Sequence, residues 1–169
     1  MPLLIITTIL WAASFSLIGE YLAGQVDSWF SVLVRVSLAA LVFLPFLRWR
    51  GIAPKVILMY MAVGACQLGI MYLFVFHAYN YLTVAEFLLF TVLTPLYVTL
   101  IYDLLERRGL RWGYVFSSLL AVIGAAVIRY DHLSDSFWTG LILVQLANIF
   151  FAIGQVGYKR LMEVHPLVQ

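Results

Sequence analysis

Charge is scarce in this sequence. Asp, Glu, Lys and Arg together supply 11% of its 169 residues, while hydrophobic residues supply 64%. A soluble domain has to coat its surface with polar groups, and so little charge cannot do that. In hydrocarbon the shortage is expected, because lipid-facing side chains are apolar. Cysteine is nearly absent too. The single Cys66 lies in an apolar run, which excludes an internal disulfide and a metal–thiolate cluster and leaves it as a small packing residue. Met1 to Trp11 holds neither Lys nor Arg, unlike a secretion signal, so the apolar stretch up to Leu22 is expected to remain as a first helix. Catalytic signatures are missing: no HExxH, no GxSxG, no glycine-rich phosphate loop and no paired carboxylates near a histidine. No enzymatic activity, cofactor, resident metal or nucleic-acid partner is therefore expected. Asp131-His132 with Asp135 has a faint metal-ligand look, but a solvated loop is the better reading.

What is present is a series of long apolar runs. A helix needs roughly 20 mostly apolar residues to cross about 30 Å of hydrocarbon. Six stretches qualify: Leu3 to Leu22, Trp29 to Leu47, Val56 to Phe76, Val84 to Tyr102, Trp112 to Ile128 and Phe137 to Gly157. Barrel strands would show alternation over about ten residues, so the fold class expected is all-α, a polytopic membrane bundle of about six helices. The breaks carry turn chemistry or charge, as at Gly24 to Asp27, Arg48 to Gly51 with Pro54, and Glu106 to Gly109. Arg48, Arg50, Lys55, Arg107, Arg108, Arg111, Lys159 and Arg160 fall in alternate connections, against Arg129 alone on the other side. That asymmetry predicts a cytoplasmic N-terminus and cytoplasmic basic loops. Trp29, Trp49, Trp112 and Trp138 stand at predicted helix ends, where interfacial tryptophans belong. Gly113, Ser117, Ala121 and Ala125 form a small-residue stripe, suited to packing within the bundle or to a homodimer seam.

Few polar groups fall at membrane depth, and these are the candidate site. Arg35 lies six residues after Trp29, roughly 9 Å down the second helix at 1.5 Å per residue. Glu86 lies about one turn inside the fourth. Two readings stand for them. In one, Arg35 binds a substrate carboxylate with Glu86 as counter-ion or proton carrier; in the other, they form a structural pair or Arg35 snorkels outward. Gln145, Asn148, Ala152 and Gln155 share a face of the sixth helix, giving an amide stripe suited to neutral polar groups or to inter-helix bonding. Trp11 and Ser14 share a face of the first helix with Thr7, Phe15 and Ile18. Glu86, Phe90, Leu93 and Tyr97 share one on the fourth, where Pro95 is expected to kink the helix.

These residues carry a family resemblance. Trp11-Ala12-Ala13-Ser14-Phe15, Arg35 within Val-Arg-Val-Ser-Leu-Ala-Ala, Ala78-Tyr79, Thr94-Pro95-Leu96, Glu106-Arg107 and Gly124 follow one another as in the EamA branch of the drug/metabolite transporter superfamily, which the chain resembles. The resemblance implies two inverted five-helix repeats with both termini inside a bacterial inner membrane. Residues 1–131 would then be the first repeat, and 132–169 the sixth helix opening a second repeat that the chain cuts short. Stretches such as Leu88 to Tyr97 and Gly157 to Glu163 are similar to those of biotin-importing members. The implied function is secondary transport, with biotin or a similar carboxylate metabolite as substrate. The substrate-binding residues expected are Arg35, Glu86, Trp11, Ser14, Tyr97, Asn148 and Gln155. Export of amino acids or other metabolites, and a non-transporting membrane scaffold, are the alternatives.

Overall fold

In a computed structural model, the described residues are 2–22, 24–47, 51–106, 112–113, 116–117, 120, 123–124 and 135–165. Most of them are helical, with no strand among them. Helix α1 (Pro2–Leu17) runs into a π turn at Ile18–Leu22, and α2 (Ser28–Phe43) ends in a 3₁₀ turn at Leu44–Phe46. Helices α3 (Pro54–Gly64) and α4 (Met71–Ala78) join through a π turn at Ala65–Ile70 into one rod. Helices α5 (Val84–Thr91) and α6 (Thr94–Leu105) form a fourth rod, and α7 (Asp135–Val164) a long last one. Among the described residues, five helical segments are long and apolar enough to cross a membrane: Pro2–Leu22, Ser28–Phe46, Pro54–Ala78, Val84–Leu105 and Phe137–Val164. The expected helix at Trp112 to Ile128 lies mostly outside the described residues, as do Arg107, Arg108, Arg111, Arg129 and the Asp131-His132 pair. Of the small-residue stripe, Gly113 and Ser117 are described, and Ser117 Oγ donates to the Gly113 carbonyl at 2.9 Å.

Local chemistry sets the ends. Asp27 caps α2 by accepting from the Phe30 N–H at 2.9 Å. Pro54 occupies the first turn of α3, where its missing N–H costs nothing. Thr83 and Glu86 make a reciprocal capping box at the start of α5. Pro95 explains the break between α5 and α6. It has no N–H to give the Thr91 carbonyl one turn back, so that carbonyl takes the Thr94 hydroxyl instead, at 2.6 Å. The break is thus satisfied locally, as apolar surroundings require.

The core lies where α4, α5 and α6 meet α7. Tyr72, Val75, Phe76, Ala78, Phe87, Val144 and Ala147 are buried there. Glycines let the backbones close. A Cβ on Gly154 would come within 2.2 Å of the Gln67 Cβ, and one on Gly140 within 2.5 Å of the Leu82 Cγ. Close approach of this kind is how helices gain contact in lipid, where apolar burial offers little drive. The outer faces of α1 and α2 are apolar and open, as at Leu3, Leu10, Leu33 and Leu41. Such faces suit contact with acyl chains.

Candidate functional site

Between α1, α4, α5, α6 and α7 lies a cavity of about 730 Å³, within the roughly 300–1,000 Å³ common for small-molecule sites. Its aromatic wall begins at Trp11, whose ring centroid lies 5.6 Å from Phe15 and 5.8 Å from Phe151. Phe15 in turn lies 5.6 Å from Phe87. Phe87 is held from behind by Tyr79, with centroids 4.4 Å apart. The Tyr79 hydroxyl donates to the Phe15 carbonyl at 3.2 Å, close to where α1 passes into its π turn and helical pairing shifts register.

Helices α6 and α7 also bring polar side chains to the cavity. The Thr94 hydroxyl stands 3.0 Å from Asn148 Oδ1, and Asn148 Nδ2 donates to the Phe90 carbonyl at 3.0 Å. Asn148 is only 4% exposed. Gln155 lies two turns further along α7 and also lines a second cavity of about 570 Å³. That second cavity shares Val98, Thr99 and Gln155 with the first. It continues past Lys159, whose ammonium sits 4.1 Å over the Tyr102 ring. Along α7 the two cavities together are lined from Ala147 to Glu163.

Arg35 sits beside this space rather than in its lining. Its guanidinium Nη2 donates to Ser14 Oγ and to the Tyr72 hydroxyl, each at 2.9 Å, and its Cζ lies 4.4 Å over the Tyr72 ring. Ser14 precedes Phe15, and Tyr72 follows Met71, so Arg35 adjoins the cavity through its immediate chain neighbours. Both hydroxyls are neutral, and among the described residues no carboxylate forms an ion pair with Arg35. Pairing with Glu86 is not formed. Glu86 Oε2 accepts from the Thr83 N–H at 2.7 Å and the Thr83 hydroxyl at 2.6 Å, closing the cap of α5.

Of the expected residues, the structure brings Trp11, Asn148 and Gln155 into the cavity lining. Arg35 and Ser14 form the adjacent cationic cluster. Tyr97 is turned into the α6–α7 contact, donating to Gln145 Oε1 at 2.9 Å. Glu86 is buried at the cap. Sequence reasoning missed Thr94 and Tyr72. Thr94 was signalled by Pro95, which orphans a carbonyl next to it, and Tyr72 by lying about as far from its helix end as Arg35 does from Trp29.

Apolar spans around a cavity with an aromatic wall and a half-buried cation define a multi-pass membrane protein with an internal cavity. The model of the EamA-like transporter family matches residues 1–130, and the chain belongs to that family. It is 73% identical over 169 residues to a biotin transporter of Salmonella typhimurium and 72% identical to one of Escherichia coli K12. Each of those matches takes in the whole chain and 56% of the relative. A probable biotin transporter of Pseudomonas aeruginosa is 56% identical over 166 residues, 98% of this chain and 58% of that protein. The chain thus spans a little over half the length of these relatives. No solved structure matches.

Proposed function

We propose that this chain forms part of a secondary transporter that takes up biotin across the bacterial inner membrane. Whole-chain similarity to relatives named as biotin transporters carries the reading. The chemistry of the cavity supports it. Biotin has a carboxylate on an apolar chain and a polar cyclic urea on an apolar ring. Arg35 is the carboxylate partner in this reading, with Ser14 and Tyr72 orienting its planar fork. Trp11 and the adjoining rings take the apolar body, and Asn148 and Gln155 take the urea. Tyr97 holds α6 against α7 through Gln145, and Glu86 sets the start of α5.

In the same proposal the first five spans make one repeat, residues 1–131, and α7 opens a second. The basic connections lie in the cytoplasm with the N-terminus, and the second cavity is the inward path. The protein moves its substrate without altering it. A strain lacking biotin synthesis tests the function. Expression of the full-length protein should restore growth on low external biotin, and failure to do so with the protein in the membrane overturns the reading. Cells that retain less labelled biotin than controls would point to export instead.

A further inference from the structure

We infer that Lys159 is a second site for the substrate carboxylate, in the wall of the inward cavity, where the anion arrives after leaving Arg35. This deepens the biotin proposal and rests on it. The reasoning starts from an arrangement that two cations share. Arg35 Cζ lies 4.4 Å over the Tyr72 ring beside the first cavity, and Lys159 Nζ lies 4.1 Å over the Tyr102 ring in the lining of the second. A ring face attracts a cation through its quadrupole but leaves the charge unneutralised. An ammonium has three N–H donors, so it can rest on a ring and still bond an anion. Among the described residues no carboxylate forms an ion pair with Lys159. The next residue differs. Arg160 Nη2 stands 4.0 Å from Glu106 Oε1, a pair that ties α7 to the end of α6. Arg160 is committed to packing, and Lys159 is not.

The lining between the two cations is shared. Val98, Thr99 and Gln155 belong to both cavities, and Thr99 and Gln155 are neutral hydrogen-bonding groups. Gln155 lies one turn before Lys159 on α7, and Thr99 one turn before Tyr102 on α6. A carboxylate that leaves Arg35 gives up a charged partner among largely apolar walls, and a second cation further along lowers that cost. Glu163 lines the same cavity one turn beyond Lys159. Its charge opposes an anion there, which keeps the hold of Lys159 loose enough for release.

The test follows exchange of labelled biotin in membrane vesicles carrying the full-length protein, right-side-out to read the outer face and inside-out to read the cytoplasmic face. In Lys159→Met the half-saturating biotin concentration should rise about three- to fivefold at the cytoplasmic face, the scale of a solvent-exposed ion pair, and stay within about twofold at the outer face. Lys159→Arg should restore the cytoplasmic value. No rise at the cytoplasmic face, an equal rise at both faces, or a rise at the outer face alone overturns the inference. Glu163→Gln, at an exposed position, should lower the cytoplasmic value about twofold. A value that does not fall overturns the inference whether or not Lys159→Met reaches the membrane. Absence of biotin exchange by the wild type brings down the parent proposal instead, which separates the two failures.

Discussion

Trp11 on α1 and Phe151 on α7 meet with ring centroids 5.8 Å apart and planes inclined by 32°. This contact joins the first span to the last and closes the aromatic side of the cavity. Trp11 keeps 46% of its surface exposed, so the ring is available to a ligand as well as to Phe151. Trp11→Ala should weaken biotin binding about 3- to 10-fold, in line with the roughly 0.5–1.5 kcal/mol of an aromatic pair. Trp11→Phe should recover most of that loss. Saturation binding of labelled biotin measures both.

Arg35 makes a different prediction, because its partners Ser14 and Tyr72 are neutral. Its charge is available to an anion, and a charge-assisted bond is worth about 1.5–3 kcal/mol. Arg35→Ala should raise the KM for biotin by more than about tenfold. The same substitution should leave competition by biotin methyl ester unchanged, since the ester has no carboxylate. Equal losses for acid and ester would assign Arg35 to the structure alone.

Gly154 tests packing without touching the ligand. Its missing Cβ makes room for the Gln67 side chain and backbone, with the Gln67 Cα at 2.9 Å from where a Cβ would stand. Helix propensity favours Ala over Gly by up to about 1 kcal/mol. Overpacking costs about 1–3 kcal/mol and wins here, since a backbone atom is among those that must move. Gly154→Ala should lower the midpoint of thermal unfolding in detergent, and Gly154→Leu should lower it further. Gly69, with open space around its Cβ position, should accept Ala without loss.

Glu86 and Thr83 separate a cap from a proton carrier. In Glu86→Gln the remaining carbonyl oxygen can still accept from the Thr83 N–H, so stability and uptake at neutral pH should stay within about twofold. Thr83→Ala removes the reciprocal bond and should cost about 1 kcal/mol. A response to an external pH step that vanishes only in Glu86→Gln, with the fold intact, would mark Glu86 as a proton carrier.

Hydropathy carries much of this fold because the solvent it implies is simple. The span expected at Leu3 to Leu22 is observed at Pro2–Leu22, and that at Val84 to Tyr102 at Val84–Leu105. The last helix runs past the expected Gly157 to Val164. Hydropathy reports the apolar thickness, whereas the helix continues beyond it through a segment that carries Lys159, Arg160 and Glu163. The break near Pro95 was legible because proline acts through its own missing N–H. The π turns at Ile18–Leu22 and Ala65–Ile70 were not, since no residue type marks a one-residue shift of register. At the site, the polar outliers Arg35 and Asn148 stood out by cost. Thr94 and Tyr72 did not, because a threonine or tyrosine in a span has many uses, and only the fold shows what each one bonds.

The proposed inward movement of biotin through this bundle is open to direct measurement. Uptake of labelled biotin by proteoliposomes of the full-length protein tests it most directly, with and without an excess of unlabelled biotin inside. Accumulation above protein-free liposomes, accelerated by unlabelled biotin on the inner side and abolished by unlabelled biotin outside, is the result expected. Uptake no greater than that of protein-free liposomes, by correctly inserted protein, would contradict it.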